Sequence, residues 1–155
     1  MRPSSRPVRP DAVSERGSVS LEFITAGLIL LIPLVYLVLA LSALQGGALA
    51  VEGAARQAAR VYVQAPNHAE GTARALRAVQ FGLADYGIPA DTAGVQIDCR
   101  PSANECLTRR GVVVVTVRIS VPLPLVPDVL ALRGAAAVPL QASATQTVSR
   151  FWGAG

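Results

Sequence analysis

"RGSVSLEF", residues 16–23, leads directly into the uncharged stretch "ITAGLILLIPLVYLVLALSAL", residues 24–44. Phe23 to Leu44 is 22 residues long. At a rise of about 1.5 Å per residue, a helix of that length covers the ~30 Å hydrocarbon core of a bilayer. The stretch therefore predicts one transmembrane helix over residues 18–44. A carboxylate, that of Glu22, lies at the start of this helix.

The distribution of basic residues predicts the orientation of that helix. Four arginines precede the uncharged stretch, in the leader 1–17, and the next one along the chain is Arg56. Basic residues favour the cytoplasmic side of a membrane. We therefore expect a cytoplasmic N-terminus and an extracytoplasmic domain over residues 45–155. Within the helix, Pro33 removes one backbone hydrogen bond and predicts a kink or a looser turn.

A cleavable secretory signal is the alternative explanation of the apolar stretch. Signal peptides have an apolar region of roughly 7–15 residues before a cleavage site with small residues. The stretch here is longer than that, although Ala48-Leu49-Ala50 has the small-residue pattern of such a site. A secreted domain with a long signal therefore remains open beside the membrane anchor.

Glu22 has two interpretations at this stage. A carboxylate at headgroup level, near the positive end of a helix dipole, is tolerated at little cost. Ionisable groups in transmembrane helices, however, usually have a partner and a function. The residues around Glu22 help to choose between the two.

Gly17, followed by four residues and then by Glu22-Phe23 and the apolar helix, resembles the prepilin signature of the type IV pilin superfamily. The chain is most similar to the TadE-like pseudopilins, the minor pilins of tight-adherence pilus systems. The resemblance implies that a membrane-embedded prepilin peptidase cuts between Gly17 and Ser18. Ser18 would then be the mature N-terminus, where many type IV pilins have Phe.

The same resemblance implies how the mature chain assembles. Glu22 would be the fifth mature residue, next to Phe23, and would meet the free amino terminus of a neighbouring subunit. The implied partners are the prepilin peptidase, other pilins and pseudopilins, the inner-membrane assembly platform and the lipid of the bacterial cytoplasmic membrane.

The residues after the apolar stretch predict an α+β domain. Residues 45–64 continue as an amphipathic helix, in which Gly46-Gly47 would form a hinge or a loose turn. A capping box of Asn67 and Glu70 opens a second helix, which ends near Gly87 and Pro89. The apolar face expected for this helix consists of Thr72, Leu76, Val79, Leu83 and Tyr86.

Beyond the second helix the hydrophobic period changes from about four to two. Val95 and Ile97 alternate with polar residues, as do the odd positions of residues 113–121 and the alanines of a third segment over 140–148. Such alternation is typical of strands with one buried face. We therefore expect a small antiparallel β-sheet, and the long helix, second helix and sheet together give the α+β fold class.

Cys99 and Cys106 bracket a hexapeptide between the first two predicted strands. A disulfide is the natural state of such a pair outside the cytoplasm, and two free thiols are the alternative. A zinc site needs more ligands than these cysteines and His68 supply. We expect no metal and no other cofactor. With a single His and no motif that joins a nucleophile to a base, we also expect no enzymatic activity.

The formal charge of +4 and pI near 9.8 invite a nucleic-acid interpretation. All fourteen basic residues are arginines. Removal of the leader leaves ten arginines against eight acidic residues, scattered along the chain. No basic patch interleaved with aromatic residues is visible in the sequence. We therefore expect no nucleic-acid partner.

These observations predict a minor pilin or pseudopilin that a prepilin peptidase processes and that assembles into, or at the base of, a tight-adherence-type pilus or secretion apparatus. The alternative function is an extracytoplasmic binding domain whose apolar stretch is only a signal or an anchor. The two hypotheses differ in the N-terminus of the mature protein.

Overall fold

A computed structural model describes residues 15–102, 105–126 and 136–153, with side chains from residue 19 onward. Most of the predicted leader 1–17 therefore lies outside the described residues. The secondary-structure elements are helices α1 (Glu15–Val63) and α2 (His68–Ala84), a short 3-10 helix (Ala90–Thr92), and strands β1 (Gly94–Arg100), β2 (Val112–Pro122) and β3 (Ala137–Thr147). The predicted α+β fold is confirmed: a long N-terminal apolar helix, a second helix and a three-stranded antiparallel sheet.

Helix α1 is 49 residues long and continues without a break through Pro33. The chain divides into two compact units within it, one ending at Val38 and one beginning at Leu39. In the first unit, the described side chains of residues 19–38 are exposed, apart from a half-buried Tyr36. By length and composition this helix could cross a membrane.

The second unit already includes the last turn of the predicted membrane segment. Ala40 is buried, and Ala43 and Leu44 pack against the core of this unit. The core then follows α1 through residues that are almost all alanines, up to a fully buried Tyr62. Small side chains on this face let α1 lie close to the other elements.

Gly47 shows how close that approach is. The predicted turn or hinge at Gly46-Gly47 is not seen, because both residues lie inside the uninterrupted helix. A Cβ atom on Gly47 would lie 2.6 Å from Cγ2 of Val121 and 3.0 Å from Cδ1 of Leu140. Gly47 is therefore a packing residue, at which the helix backbone contacts β2 and β3 directly.

Helix α2 begins as its sequence predicts. Oδ1 of Asn67 accepts a hydrogen bond from the backbone N–H of Glu70 at 2.9 Å, so the N-cap is confirmed. Replacement of Asn by Ala at such an N-cap costs about 1 kcal/mol of stability. The helix ends just before Gly87, which has a φ of 68°.

The buried face of α2 includes Val79 and Leu83, as predicted, but not Leu76 and Tyr86. Leu76 and Tyr86 are 48% and 50% exposed, respectively. The residues that are buried are Gly71, Ala75, Val79 and Leu83. The reason is the close contact between the helices: a Cβ on Gly71 would lie 3.2 Å from the ring of Tyr62. Short side chains, which a search for large apolar residues overlooks, therefore define the interface.

The sheet has the strand order β1-β2-β3, and both pairs are antiparallel. The apolar side chains of the central strand alternate as predicted, and the buried ones are those of Val113, Val115, Val117, Ile119 and Val121. Thr116, on the other face, is buried as well, and its hydroxyl is hydrogen-bonded to that of Ser143 in β3. In β3, Ala144 is buried and Ala142 is half-buried, which also agrees with the prediction. The sheet therefore packs this face against the helices and presents its other face to solvent.

The two cysteines form the predicted disulfide. Cys99 in β1 is bonded to Cys106, with their Cα atoms 4.9 Å apart. The bond closes the loop that connects β1 to β2. For so short a loop the chain-entropy expression gives about 2.5 kcal/mol of stabilisation.

The double variant Cys99→Ser/Cys106→Ser should lose about 2–3 kcal/mol of unfolding free energy, because its unfolded chain is no longer constrained. Urea unfolding of the detergent-solubilised protein measures this. A reducing agent should destabilise the native chain by a similar amount and leave the double variant unchanged. Equal stability of the two proteins without a reductant would contradict a structural role for the bond.

Gly47→Ala should be less stable than Gly53→Ala by about 1–2 kcal/mol. Both changes raise helix propensity, but only the first places a methyl group against β2 and β3. A Cβ on Gly53 would meet no atom within 4 Å, so Gly53→Ala is the matched control. Thermal or urea unfolding of both variants gives the comparison. Equal stabilisation by the two substitutions would show that α1 is not tightly packed at Gly47.

Candidate functional site

The residues predicted to be processed lie at the beginning of α1. The helix starts at Glu15, so the backbone of Gly17 and Ser18 is in its first turn. The side chain of Ser18 is outside the described set. The bond between these two residues is thus part of a helix and lies directly before the apolar segment.

Glu22 is exposed and lies one helical turn further on. It is the only charged residue between Arg16 and Glu52 in the sequence. Among the side chains that the structure describes, none forms an ion pair or a hydrogen bond with its carboxylate. The neighbouring Thr25 satisfies its own hydroxyl, which donates to the carbonyl oxygen of Leu21 at 2.8 Å. Within the part of the chain whose side chains are described, the carboxylate of Glu22 thus has no partner.

The surface around Glu22 is apolar on every side of the helix. Phe23 is 79% exposed and Leu30 is 73% exposed, and the other large side chains up to residue 38 are also exposed. A helix that is apolar all round requires an apolar environment, either lipid or other helices. This part of α1 thus has the length and the composition of a helix that could cross a membrane.

A groove lies between α1 and α2 within the second unit. Its volume is about 610 Å³, and its lining includes Gly53, Ala78 and Gly82, with Phe81 and Leu49 among the larger side chains. Its polar lining includes Gln57, Arg74, Arg77 and Asp85. The groove is a consequence of packing two helices through small residues.

The basic residues beside this groove are engaged with an acidic neighbour. Nε of Arg74 donates to Oε1 of Glu70 at 2.8 Å, and Arg77 lies 3.6 Å from the same oxygen. The hydrogen bond from Arg74 and its positive charge hold the pKa of Glu70 below its ordinary value, and the charge of Arg77 contributes to the lowering. Two of the scattered arginines are thus partly neutralised within α2.

A different set of arginines is gathered at one end of the sheet. Arg100 ends β1 and faces Val112, the first residue of β2. The backbone N–H of Arg110 donates to the carbonyl oxygen of Val148 at 3.2 Å, and that of Val148 donates to Gly111 at 2.8 Å. Arg109 and Arg150 flank these hydrogen-bonded residues in the sequence. We call Arg100, Arg109, Arg110 and Arg150 the arginine cluster.

Two aromatic residues belong to the same end of the domain. The guanidinium of Arg150 lies 4.6 Å from the ring centre of Phe151, which is 67% exposed. Nε1 of Trp152 donates to the carbonyl oxygen of Ala65 at 3.1 Å, and Nε of Arg109 donates to the carbonyl oxygen of Trp152, also at 3.1 Å. The first of these hydrogen bonds attaches Trp152 to the turn between α1 and α2, and the second attaches it to the loop between β1 and β2.

The arginine cluster was not predicted from the sequence. Arg109 and Arg110 are adjacent, but Arg100 and Arg150 are distant in the chain, and strand pairing brings them to the same end of the sheet. The local signals were the Arg109-Arg110 pair and the "RFW" sequence of residues 150–152, a basic residue next to two aromatic ones. The premise that the arginines are scattered therefore holds for the sequence and not for the folded domain.

The lone histidine has a structural neighbour. Nδ1 of His68 is hydrogen-bonded to the hydroxyl of the buried Tyr62, and the two rings meet edge to face with centroids 5.9 Å apart. Within the described ranges, no three His, Cys, Asp or Glu side chains are grouped so that they could hold a metal ion.

Comparisons of the chain with models of protein families, with curated proteins and with solved structures each give no match.

Proposed function

We propose that the chain is a minor pilin or pseudopilin of the TadE-like kind. In this proposal a prepilin peptidase removes residues 1–17, and the mature chain stays in the cytoplasmic membrane by its apolar helix, with the folded domain outside the cytoplasm. It then joins other pilins on the assembly platform of a tight-adherence-type pilus or secretion apparatus. Its role is structural.

The observation that carries the proposal is the carboxylate of Glu22, which has no partner among the described side chains and lies on a largely apolar helix surface. A plain membrane anchor tolerates a carboxylate beside Phe23, at the start of the apolar segment, but does not require one. A subunit that must be held at a fixed offset from its neighbour does. Glu22 follows Gly17 at the spacing that the prepilin resemblance implies.

Electrostatics explains how Glu22 would set that offset. A carboxylate and an amino group about 4 Å apart attract by ~4 kcal/mol at an effective dielectric constant of 20, against ~1 kcal/mol in water. After cleavage, Ser18 would carry a free amino group. Pairing of Glu22 in one subunit with the amine of the next would give each interface the same axial step. Repetition of such a heterologous contact produces an open filament.

The processing step gives the first test. We expect a mature chain that begins at Ser18, and we expect Gly17→Ala or a bulkier substitution to leave residues 1–17 attached. N-terminal sequencing or intact mass of the protein purified from membranes measures both. A mature chain that begins at Met1 would contradict the proposal, and one that begins near Val51 would support the secreted binding domain instead.

Glu22→Gln should leave processing intact and abolish co-assembly. Gln keeps the shape of the side chain but loses the charge that would pair with the amine of Ser18. Cleavage acts on the monomer before assembly, so it does not need this pair. The measurement is crosslinking or co-purification with the other pilins, with gel mobility as the test of cleavage.

Two control variants sharpen this experiment. Glu22→Asp keeps the charge, so it should retain more assembly than Glu22→Gln. Glu52→Gln removes a carboxylate from the same helix beyond the apolar segment, where Glu52 pairs with Arg56 on an exposed face. Exposed pairs of this kind contribute little, so this variant should assemble normally. Normal processing and assembly of Glu22→Gln would make Glu22 an ordinary interfacial residue.

A further inference from the structure

We propose that the arginine cluster and Phe151 form a binding surface for single-stranded nucleic acid outside the cytoplasm. The proposal goes beyond an assembly role, and it departs from the expectation that the sequence raised. Its basis is the charge, the orientation of the guanidinium groups and the exposed aromatic ring at one end of the sheet.

No described side chain pairs with the charges of this surface. All four arginines of the cluster are exposed, and none forms an ion pair with a side chain that the structure describes. The acidic residues nearest in sequence are Asp98, which accepts hydrogen bonds from Gln96, and Glu105. Four positive charges against two leave an excess that favours an anionic partner.

The guanidinium groups are also partly oriented before any ligand arrives. Arg109 uses Nε to donate to the carbonyl oxygen of Trp152, which leaves both of its terminal amino groups for a ligand. Arg150 lies over the ring of Phe151. A guanidinium held in this way loses less rotamer freedom when it binds the oxygens of a phosphate in a bidentate manner.

The exposed ring distinguishes among anionic partners. Phe151 remains 67% exposed next to the arginines, so part of its surface is free for stacking. Single-stranded nucleic acid combines a phosphate backbone with planar bases, and base stacking on aromatic side chains is largely independent of sequence. An acidic peptide would satisfy the arginines and leave the ring without a specific partner.

The position of the surface argues against lipid headgroups as the ligand. Trp152 attaches this end to Ala65, just beyond the C-terminal end of α1. Between Leu44 and Val63 the helix rises by about 28 Å. If residues 18–44 are anchored as in the proposed function, Ala65 and the arginine cluster near it are separated from the end of the apolar segment by this length of helix. Lipid headgroups are then the less suitable ligand.

The test is fluorescence anisotropy of labelled oligo-dT of about twenty nucleotides with the full-length protein in a neutral detergent. We expect saturable binding. The logarithm of the association constant should fall linearly with the logarithm of salt concentration, with a slope of about −3 for four phosphate contacts on a single strand. Arg100→Gln/Arg150→Gln should reduce the magnitude of that slope by about 1.4. Arg56→Gln, on a different face of the protein, should leave it unchanged.

Phe151→Ala should weaken binding by about tenfold, since it removes a stacking surface. Phe81→Ala is its matched control, because Phe81 lies on α2 and is 69% exposed. Thermal unfolding of every variant shows whether it remains folded. A Phe151→Ala protein that binds as the native protein does would overturn the nucleic-acid proposal.

Two competitors identify the partner. Poly-glutamate that displaces the oligonucleotide at equal charge concentration would show that the surface binds acidic polymers in general, which also overturns the proposal. Anionic vesicles that displace the oligonucleotide at equal charge concentration would identify lipid as the ligand, which likewise overturns the proposal. These outcomes are independent of the N-terminal sequence of the mature protein, so the proposed pilin function and the nucleic-acid surface can fail separately.

Discussion

The close contact of α1 with the rest of its domain is the constraint on which the structure depends. At Gly47 no side chain separates the helix from β2 and β3, and a methyl group there would overlap Val121. Gly82 is in the same position against Ala54, where an added Cβ would lie 3.3 Å from the Ala54 backbone. Because α1 contacts both the sheet and α2 through backbone and methyl groups, the domain is built directly onto the second half of that helix.

Patterns of large residues in the sequence predicted the parts of the fold in which large residues decide the packing. The alternating valines of β2 gave the buried face of the sheet, and Asn67 gave the start of α2, because each signal is local. The apolar face of α2 was predicted less well. Leu76 and Tyr86 are half-exposed, while Gly71 is buried against Tyr62. A glycine carries no hydrophobic signal, so the contact depends on a partner helix that sequence periodicity cannot reveal.

The candidate sites differ in the same way. Glu22 and Gly17 lie in one short segment, so the sequence alone was sufficient to single them out. The arginine cluster depends on the pairing of β1 with β2 and on the return of the chain at Val148 to Gly111. Charge counted along the chain gave a surface of scattered arginines. Charge considered in the folded domain gives one end with four exposed arginines and an exposed aromatic ring.

Residue size divides α1 into two parts with different partners. From Gly47 to Ala59 the buried residues of the helix are small apart from Val51, and the sheet and α2 already cover them. Between residues 19 and 38 most residues are large, and nearly all of their side chains are exposed. The first kind of surface is complete within this chain, while the second requires lipid or neighbouring helices.

Glu22 is the only charged residue of the uncovered part after Arg16. In an environment of low dielectric constant, the attraction between Glu22 and an opposite charge is stronger than the attraction within an exposed ion pair on the domain. If subunits associate through α1, the uncovered apolar surface can supply affinity without a fixed register, and Glu22 is the one group on it that can supply the register.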